Sequence, residues 1–372
     1  MRPRRFFRSF HGLLFWSTVV LFGGASARSE PLRQAEVVPG YPERPWFVFS
    51  TDLSSDVDDA AAFGFLFEAL QRGRGRLAAC VTDSPVPAAA PAARAILDAW
   101  GFRSVPLGAY QGNSGDSRDG PYARDVADAF GQQGRTRQDF ESDVAVLRRV
   151  YARAPDHSIV FIAVGFLNSL EGLMRSAPDE VSPLDGLALF ERKTALVVSV
   201  GANFTGNPRG ETRWNWRHAH QAAEYVINHM TRPFYWLPAN ELDQIGFPQG
   251  HPRRGAPHAL TGPEGLGWDA ATNPIQLAFE LSRQRQPGLL ADGLRRKAFD
   301  PAAVRFATDA DGELFGFHHR GVWVEIREGR VQVDPAREGP FWILELRMPT
   351  AGNQARDYLD AILARLAPPL KP

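Results

Sequence analysis

Residues 50–70, STDLSSDVDDAAAFGFLFEAL, place Asp52, Asp56, Asp58 and Asp59 within eight positions and then turn almost wholly apolar. Carboxylates held a few Å apart repel unless a positive charge lies between them. A helix start accounts for part of the cluster. Asp56 can cap it, with Asp58 and Asp59 in the first turn, where the helix dipole favours each carboxylate by roughly 0.3–1 kcal/mol. Asp52 does not fit that description, because it closes the strand-like run PWFVFST before the cap. An acid ending a strand and acids opening the next helix, facing one crevice, offer hard oxygens for a divalent cation. Metal binding is the stronger reading.

The elements that would hold these acids recur along the chain. Apolar runs at 45–51, 77–83, 105–110, 158–165, 194–202 and 233–239 read as strands. Helical patterns at 58–73, 90–101, 139–154, 169–177 and 220–230 alternate with them. Continuous apolar strands alternating with helices predict an α/β fold with a mainly parallel, Rossmann-like central sheet covered on both faces. Ligands of such sheets lie at the carboxyl ends of the strands, where Asp52 falls. Further on, residues 273–284 and 300–310 read as helices begun by proline, 321–334 as an antiparallel hairpin and 354–367 as a closing amphipathic helix. No internal repeat or long linker is present. A single domain over 45–370 with a small C-terminal elaboration is the economical reading, after an irregular lead-in at 28–44.

Composition excludes several function classes. The 372 residues are 44% hydrophobic and carry 42 basic and 42 acidic residues, which gives no basic surface for nucleic acid. Neither G-x-G-x-x-G after a strand nor G-x-x-x-x-G-K-[ST] occurs, which disfavours dinucleotide and ATP enzymes. Cys80 is the only cysteine, so no disulfide forms within the chain, and its apolar run predicts a buried inert thiol. The start of the chain has Arg2, Arg4, Arg5 and Arg8, then the apolar run Leu13–Phe22 and small residues at Ala25–Ala27. That pattern predicts an export signal over 1–27, by the twin-arginine or the ordinary route, and a periplasmic or secreted product. The apolar run is short for a membrane span. Losing it removes four arginines and no acid, leaving a mildly acidic protein.

STDLSSDVDDA resembles the D-T-D-x-G-x-D-D signature of the inosine-uridine-preferring, calcium-dependent nucleoside hydrolases, with two extra residues before the Asp pair. The likeness continues in order. AVGFLNSLEGLM (163–174) is similar to A-x-G-P-L-T-N-L-A, and GNPRGETRWNWRHAHQAA (206–223) to G-N-x-x-x-x-A-E-F-N-x-x-x-D-P-E-A-A. AFDPAAVRFA (298–307) is similar to the late H-D-P-x-A-V segment. The resemblance implies calcium held by Asp52, Asp59, Asp300 and the main-chain carbonyl of Asn168. It implies Asp52 as the base that deprotonates a calcium-bound water, and Asp58, Asn207 and Asn215 as contacts to the sugar. Several positions depart from the pattern: Ser50 replaces the first aspartate, Arg213 stands where a glutamate is customary, with Glu211 two positions away, and Phe299 replaces a histidine. Ala219 and His220 replace Asp-Pro, and the asparagine after the second strand is missing, with Asp83 or Ser84 in its neighbourhood.

The activity implied is hydrolysis of the N-glycosidic bond of a ribonucleoside or related riboside. Trp214, Trp216 and Phe299 flank the site and can stack on a heterocycle. His218, His220 and His251 are candidate acids for the leaving base, and His218-Ala219-His220 lacks a third ligand for zinc. The edited positions Arg213, Phe299 and Ala219 favour the alternative, a catalytically altered sugar- or ribose-binding protein on the same scaffold. A phosphatase-like hydrolase is weaker, since no basic phosphate clamp is evident. The family resemblance also implies a homodimer or homotetramer.

Overall fold

Why the acids converge follows from the path of the chain through its sheet. The computed structural model describes residues 38–53, 55–118, 120–203, 212, 214–239, 260–290, 293–309, 314–346 and 354–369. Asn207, Glu211, Arg213, His251 and the N-terminal segment 1–27 lie outside the described residues. Strand β1 (Trp46–Thr51) leads into helix α1 (Asp58–Gln71), followed by β2 (Arg76–Thr82), α2 (Ala89–Ala99) and β3 (Leu107–Ala109). Helix α3 (Ala123–Ala129), β4 (Glu141–Ser142), α4 (Asp143–Arg153) and β5 (Ile159–Ala163) come next. Helices α5 (Asn168–Arg175) and α6 (Gly186–Lys193) precede β6 (Thr194–Gly201), and α7 (Trp214–His218) and α8 (His220–Asn228) precede β7 (Phe234–Pro238). The later chain contributes β8 (Leu260–Thr261), α9 (Pro274–Arg285), β9 (Arg296–Lys297) and α10 (Phe299–Asp309). Strands β10 (Phe315–Arg327), β11 (Arg330–Glu338) and β12 (Phe341–Leu346) and helix α11 (Gln354–Leu363) follow.

Ten strands form one sheet in the order β11-β10-β12-β7-β6-β5-β1-β2-β3-β4, while β8 and β9 pair separately. From β1 the chain builds outward through β2, β3 and β4, then returns to the other side of β1 for β5, β6 and β7, all parallel. β1 is therefore the point where strand order reverses, and the crevice beyond its carboxyl end is where such sheets take ligands. Side chains of β1 alternate between two cores, as a strand buried on both faces requires. Phe47 and Phe49 pack with α1, the Phe49 ring meeting Phe63 edge-on at 4.9 Å, and Val48 enters the opposite cluster with Val81 and Phe161.

Expectation and structure diverge at the C-terminal strands. The hairpin expected over 321–334 is longer and is not a separate elaboration. β10 pairs antiparallel with both β11 and β12, and β12 joins β7 in parallel register, Phe341 opposite Phe234. The hairpin thus widens the central sheet. Some helix starts are capped by side chains: Ser142 accepts from the Ala145 amide before α4, and Asn273 accepts from Ile275 and Gln276 before α9. Cys80 is fully buried on β2, and burial pushes its thiol far above the usual range, so it is inert as expected. No helix among the described residues is long and apolar enough to cross a membrane.

Candidate metal centre

Asp52 follows the last residue of β1, and the chain turns sharply there. Leu53 has a φ of 34°, a left-handed conformation unfavourable for a branched side chain. That turn aims the Leu53 amide at the Asp59 carboxylate, 3.2 Å away, and the Thr51 hydroxyl donates to the same oxygen. Two fixed donors therefore orient Asp59 before any ligand arrives. Asp58 and Asp59 occupy the first turn of α1 and are buried. Across the crevice, Asp300 lies in the first turn of α10, and its amide hydrogen points toward Asp58 Oδ2 at 3.3 Å. Oxygens of Asp58, Asp59 and Asp300 lie within 4.8 Å of one another.

The grouping adds Asp58 to the acids expected to hold a metal. Asp58 completes the tight trio with Asp59 and Asp300, and the Asp300 amide donates to it. Asp52 lines the same cleft beside them, its own carbonyl accepting from Ser84 Oγ at 2.8 Å. Burial pushes the carboxyls of Asp52, Asp58, Asp59 and Asp300 well above the ordinary range, and their mutual repulsion pushes them further. Four nearly inaccessible acids, with Arg296 only partly offsetting the charge at Asp58, are costly for a folded chain to keep ionised. A set of convergent carboxylate oxygens is what a hard divalent cation requires, and this donor set fits one.

The simple capping account fails at Asp56. The residue before α1 is Val57, and no side chain caps the helix. Asp56 instead turns to Arg296, 240 residues away, in a two-pronged ion pair at 2.6 and 2.8 Å. Tyr122 holds the Asp56 carbonyl at 2.8 Å.

Asn168 opens α5 and is buried. Its Nδ2 donates to the carbonyls of Asp83 and Ser114, both at 2.9 Å, while its Oδ1 has no hydrogen-bond partner among the described residues. Asp83 is not a cleft residue. It accepts from Ser50 Oγ at 2.5 Å and the Phe166 amide at 3.0 Å beneath the strand ends, and a Cβ at Gly165 would collide with it and with the Asp52 amide. The acid that follows β2 and the hydroxyl on β1 thus form one buried hydrogen-bonded pair. Ser50→Asp alone is expected to bury two carboxylates in contact and destabilise by on the order of 3 kcal/mol. Adding Asp83→Asn should restore most of that loss, as urea unfolding of the single and double variants will measure.

The acids form the floor of a cleft of about 510 Å³. Asn215 reaches its wall with Nδ2 bonded to the Val164 carbonyl at 2.6 Å, and Phe299 lies beside Asp300 with the Arg296 guanidinium 5.8 Å from its ring centre. The two tryptophans of α7 part company: Trp214 is 43% exposed on the cleft wall, whereas Trp216 is fully buried against Trp236. His218 lies tilted against Trp214, ring centres 4.4 Å apart, without lining the cleft, and His220 is exposed elsewhere. Arg118 and Arg217 line the cleft without having been singled out from the sequence. The one available signal for Arg118 was its polar loop after β3, on the ligand-binding edge of the sheet.

No family model matches the sequence, and no curated protein matches it. Solved structures do match. A plant nucleoside hydrolase superposes with a TM-score of 0.58 at 15% identity, over 88% of this chain and 100% of the other. A purine-preferring ribonucleoside hydrolase from Gardnerella vaginalis gives 0.54 at 16% identity, over 86% and 100%. The type III effector protein XopQ, solved with adenosine diphosphate ribose, gives 0.57 at 14% identity, over 88% and 95%. With a parallel sheet reversing order at β1 and an acidic crevice at that point, the chain has the nucleoside hydrolase fold.

Proposed function

We propose that the protein is an exported, calcium-dependent hydrolase of the N-glycosidic bond of ribosides. The single observation carrying this reading is the trio Asp58, Asp59 and Asp300 at the switch point of a nucleoside hydrolase fold. The argument for export is the arginine-rich, apolar start of the sequence. Asp58, Asp59 and Asp300 would hold the calcium, which when bound would supply a hard Lewis-acid charge to acidify water and gather sugar hydroxyls.

The protein's own groups then have distinct tasks. Asp52, beside the trio and outside it, takes the proton of the attacking water. Asp58 and the Oδ1 of Asn215, whose Nδ2 is engaged by Val164, accept from ribose hydroxyls and fix the ring above the floor. Asn207 is proposed to add to that grip. Buried carboxylates stabilise the positive charge that develops on the ring as the bond to the base breaks. Trp214 and Phe299 offer flat faces to the leaving heterocycle.

One observation favours a second reading, a riboside-binding protein without turnover: among the described residues, no histidine lines the cleft to protonate a leaving base. XopQ, with adenosine diphosphate ribose bound, shows that this fold is compatible with such a ligand. Incubating the calcium-loaded protein with a broad riboside panel and following free base by chromatography separates the two. Release of base supports hydrolysis. Calorimetric binding without release selects the second reading, and neither result overturns both.

A further inference from the structure

The outer half of the cleft has a chemistry opposite to its floor. Asp116, only 5% exposed, grips Arg118 side-on, taking Nε at 2.9 Å and Nη2 at 2.7 Å. A guanidinium held by Nε and one face of Nη2 keeps its far edge, Nη1 and the outer Nη2 hydrogen, available as a two-pronged donor. The Arg118 side chain is 65% exposed and its guanidinium lies 5.2 Å from the centre of the Trp214 ring. Arg217 stands three residues beyond Trp214 on α7, on the same helix face, exposed and lining the same cleft.

This arrangement is anchored rather than loose. The buried Arg137 donates from Nη1 to the carbonyls of Tyr110 and Gly112, both at 2.6 Å, fixing the start of the loop that carries Arg118. Further along that loop, the Ser114 carbonyl receives Asn168 Nδ2, tying the rim to the edge of the metal centre. A neutral riboside seated on the carboxylate floor leaves two guanidinium edges facing water. A phosphoryl group matches them, since its oxygens pair with a guanidinium fork.

We propose that the rim formed by Arg118 and Arg217 around Trp214 is a phosphoryl subsite, so that the preferred ligand is a phosphorylated riboside, a nucleotide rather than a nucleoside. The inference rests on the reading of the floor as a riboside site. The carboxylate floor takes the ribose, Trp214 covers the flat heterocycle, and the two guanidinium groups take the phosphate.

Titration calorimetry of the calcium-loaded full-length protein with adenosine, adenosine 5′-monophosphate and inorganic phosphate tests it. The monophosphate is expected to bind about tenfold tighter than adenosine, the gain from one charge-assisted hydrogen-bonded contact of roughly 1.4 kcal/mol. That gap should narrow as salt rises, and inorganic phosphate alone should bind weakly, because it lacks the ribose and base. Arg118→Met and Arg217→Met should each close most of the gap, lowering monophosphate affinity more than adenosine affinity. Two variants are used because Arg118 also braces its own loop, whereas Arg217 is solvent-exposed. Equal affinity for the two ligands overturns the phosphoryl subsite and leaves the riboside site standing. A gap that persists in both variants places the phosphate on the metal and also overturns the proposal. Binding of neither ligand removes the riboside reading as well.

Discussion

Asp52→Asn is expected to lower kcat for riboside hydrolysis by about 10²–10⁴-fold while calcium still binds. The expectation follows from position. Asp52 lines the cleft but stands outside the trio whose oxygens lie within 4.8 Å of one another. Its backbone is held independently, by Ser84 on its carbonyl, so the substitution removes a proton acceptor without loosening the turn. An amide is nearly the same size as the carboxylate and cannot take a proton at neutral pH. Steady-state kinetics beside calcium titration will show the split: kcat collapses and metal affinity changes little. Asp59→Asn should do the reverse in order of cause, weakening the metal first and losing activity as a consequence. If Asp52→Asn abolishes calcium binding outright, Asp52 is principally a ligand and the proton acceptor lies elsewhere.

Removing the metal is expected to destabilise the protein, and more so at higher pH. In the metal-free folded chain the carboxyls of Asp58, Asp59 and Asp300 are raised well above their ordinary values by burial and then by one another. Between about pH 4, where these groups titrate in the unfolded chain, and their raised folded values, the folded state binds more protons than the unfolded one. Stability from these groups is therefore full at the acid end and is lost as pH rises through that window. Calcium reverses the sign by favouring the ionised form and adds about 2.7 kcal/mol when present at 100 times its dissociation constant. Thermal unfolding with chelator or calcium from pH 5 to pH 8 should give two diverging curves, the calcium-bound one above. Parallel curves would show that the acids are not the calcium site.

Much of this architecture was legible because parallel strands buried on both faces are short continuous apolar runs, and β1, β2, β5, β6 and β7 are such runs. The position of Asp52 at a strand end was legible for the same reason. The widening of the sheet was not. β12, FWILEL, is an apolar run whose partner, β7, lies over a hundred residues earlier, and nothing local announces that pairing. The ion pair of Asp56 with Arg296 was hidden likewise, so a residue that reads as a helix cap proved to be a long-range tie. Trp214 and Trp216, two apart, must face different directions on a helix, but which one meets solvent is decided by the packing of Trp216 on Trp236. The pairing of Ser50 with Asp83 was not visible in the sequence: each residue could be read alone, and only the 2.5 Å contact joins them.

The most direct test of the account is a crystal structure grown with calcium, with anomalous differences used to locate the ion. The account places one peak among Asp58, Asp59 and Asp300, with carboxylate oxygens at about 2.3–2.6 Å, the range of calcium–oxygen bonds. Absence of any peak there at saturating calcium, with the three carboxyls bridged by protons or water, would contradict it.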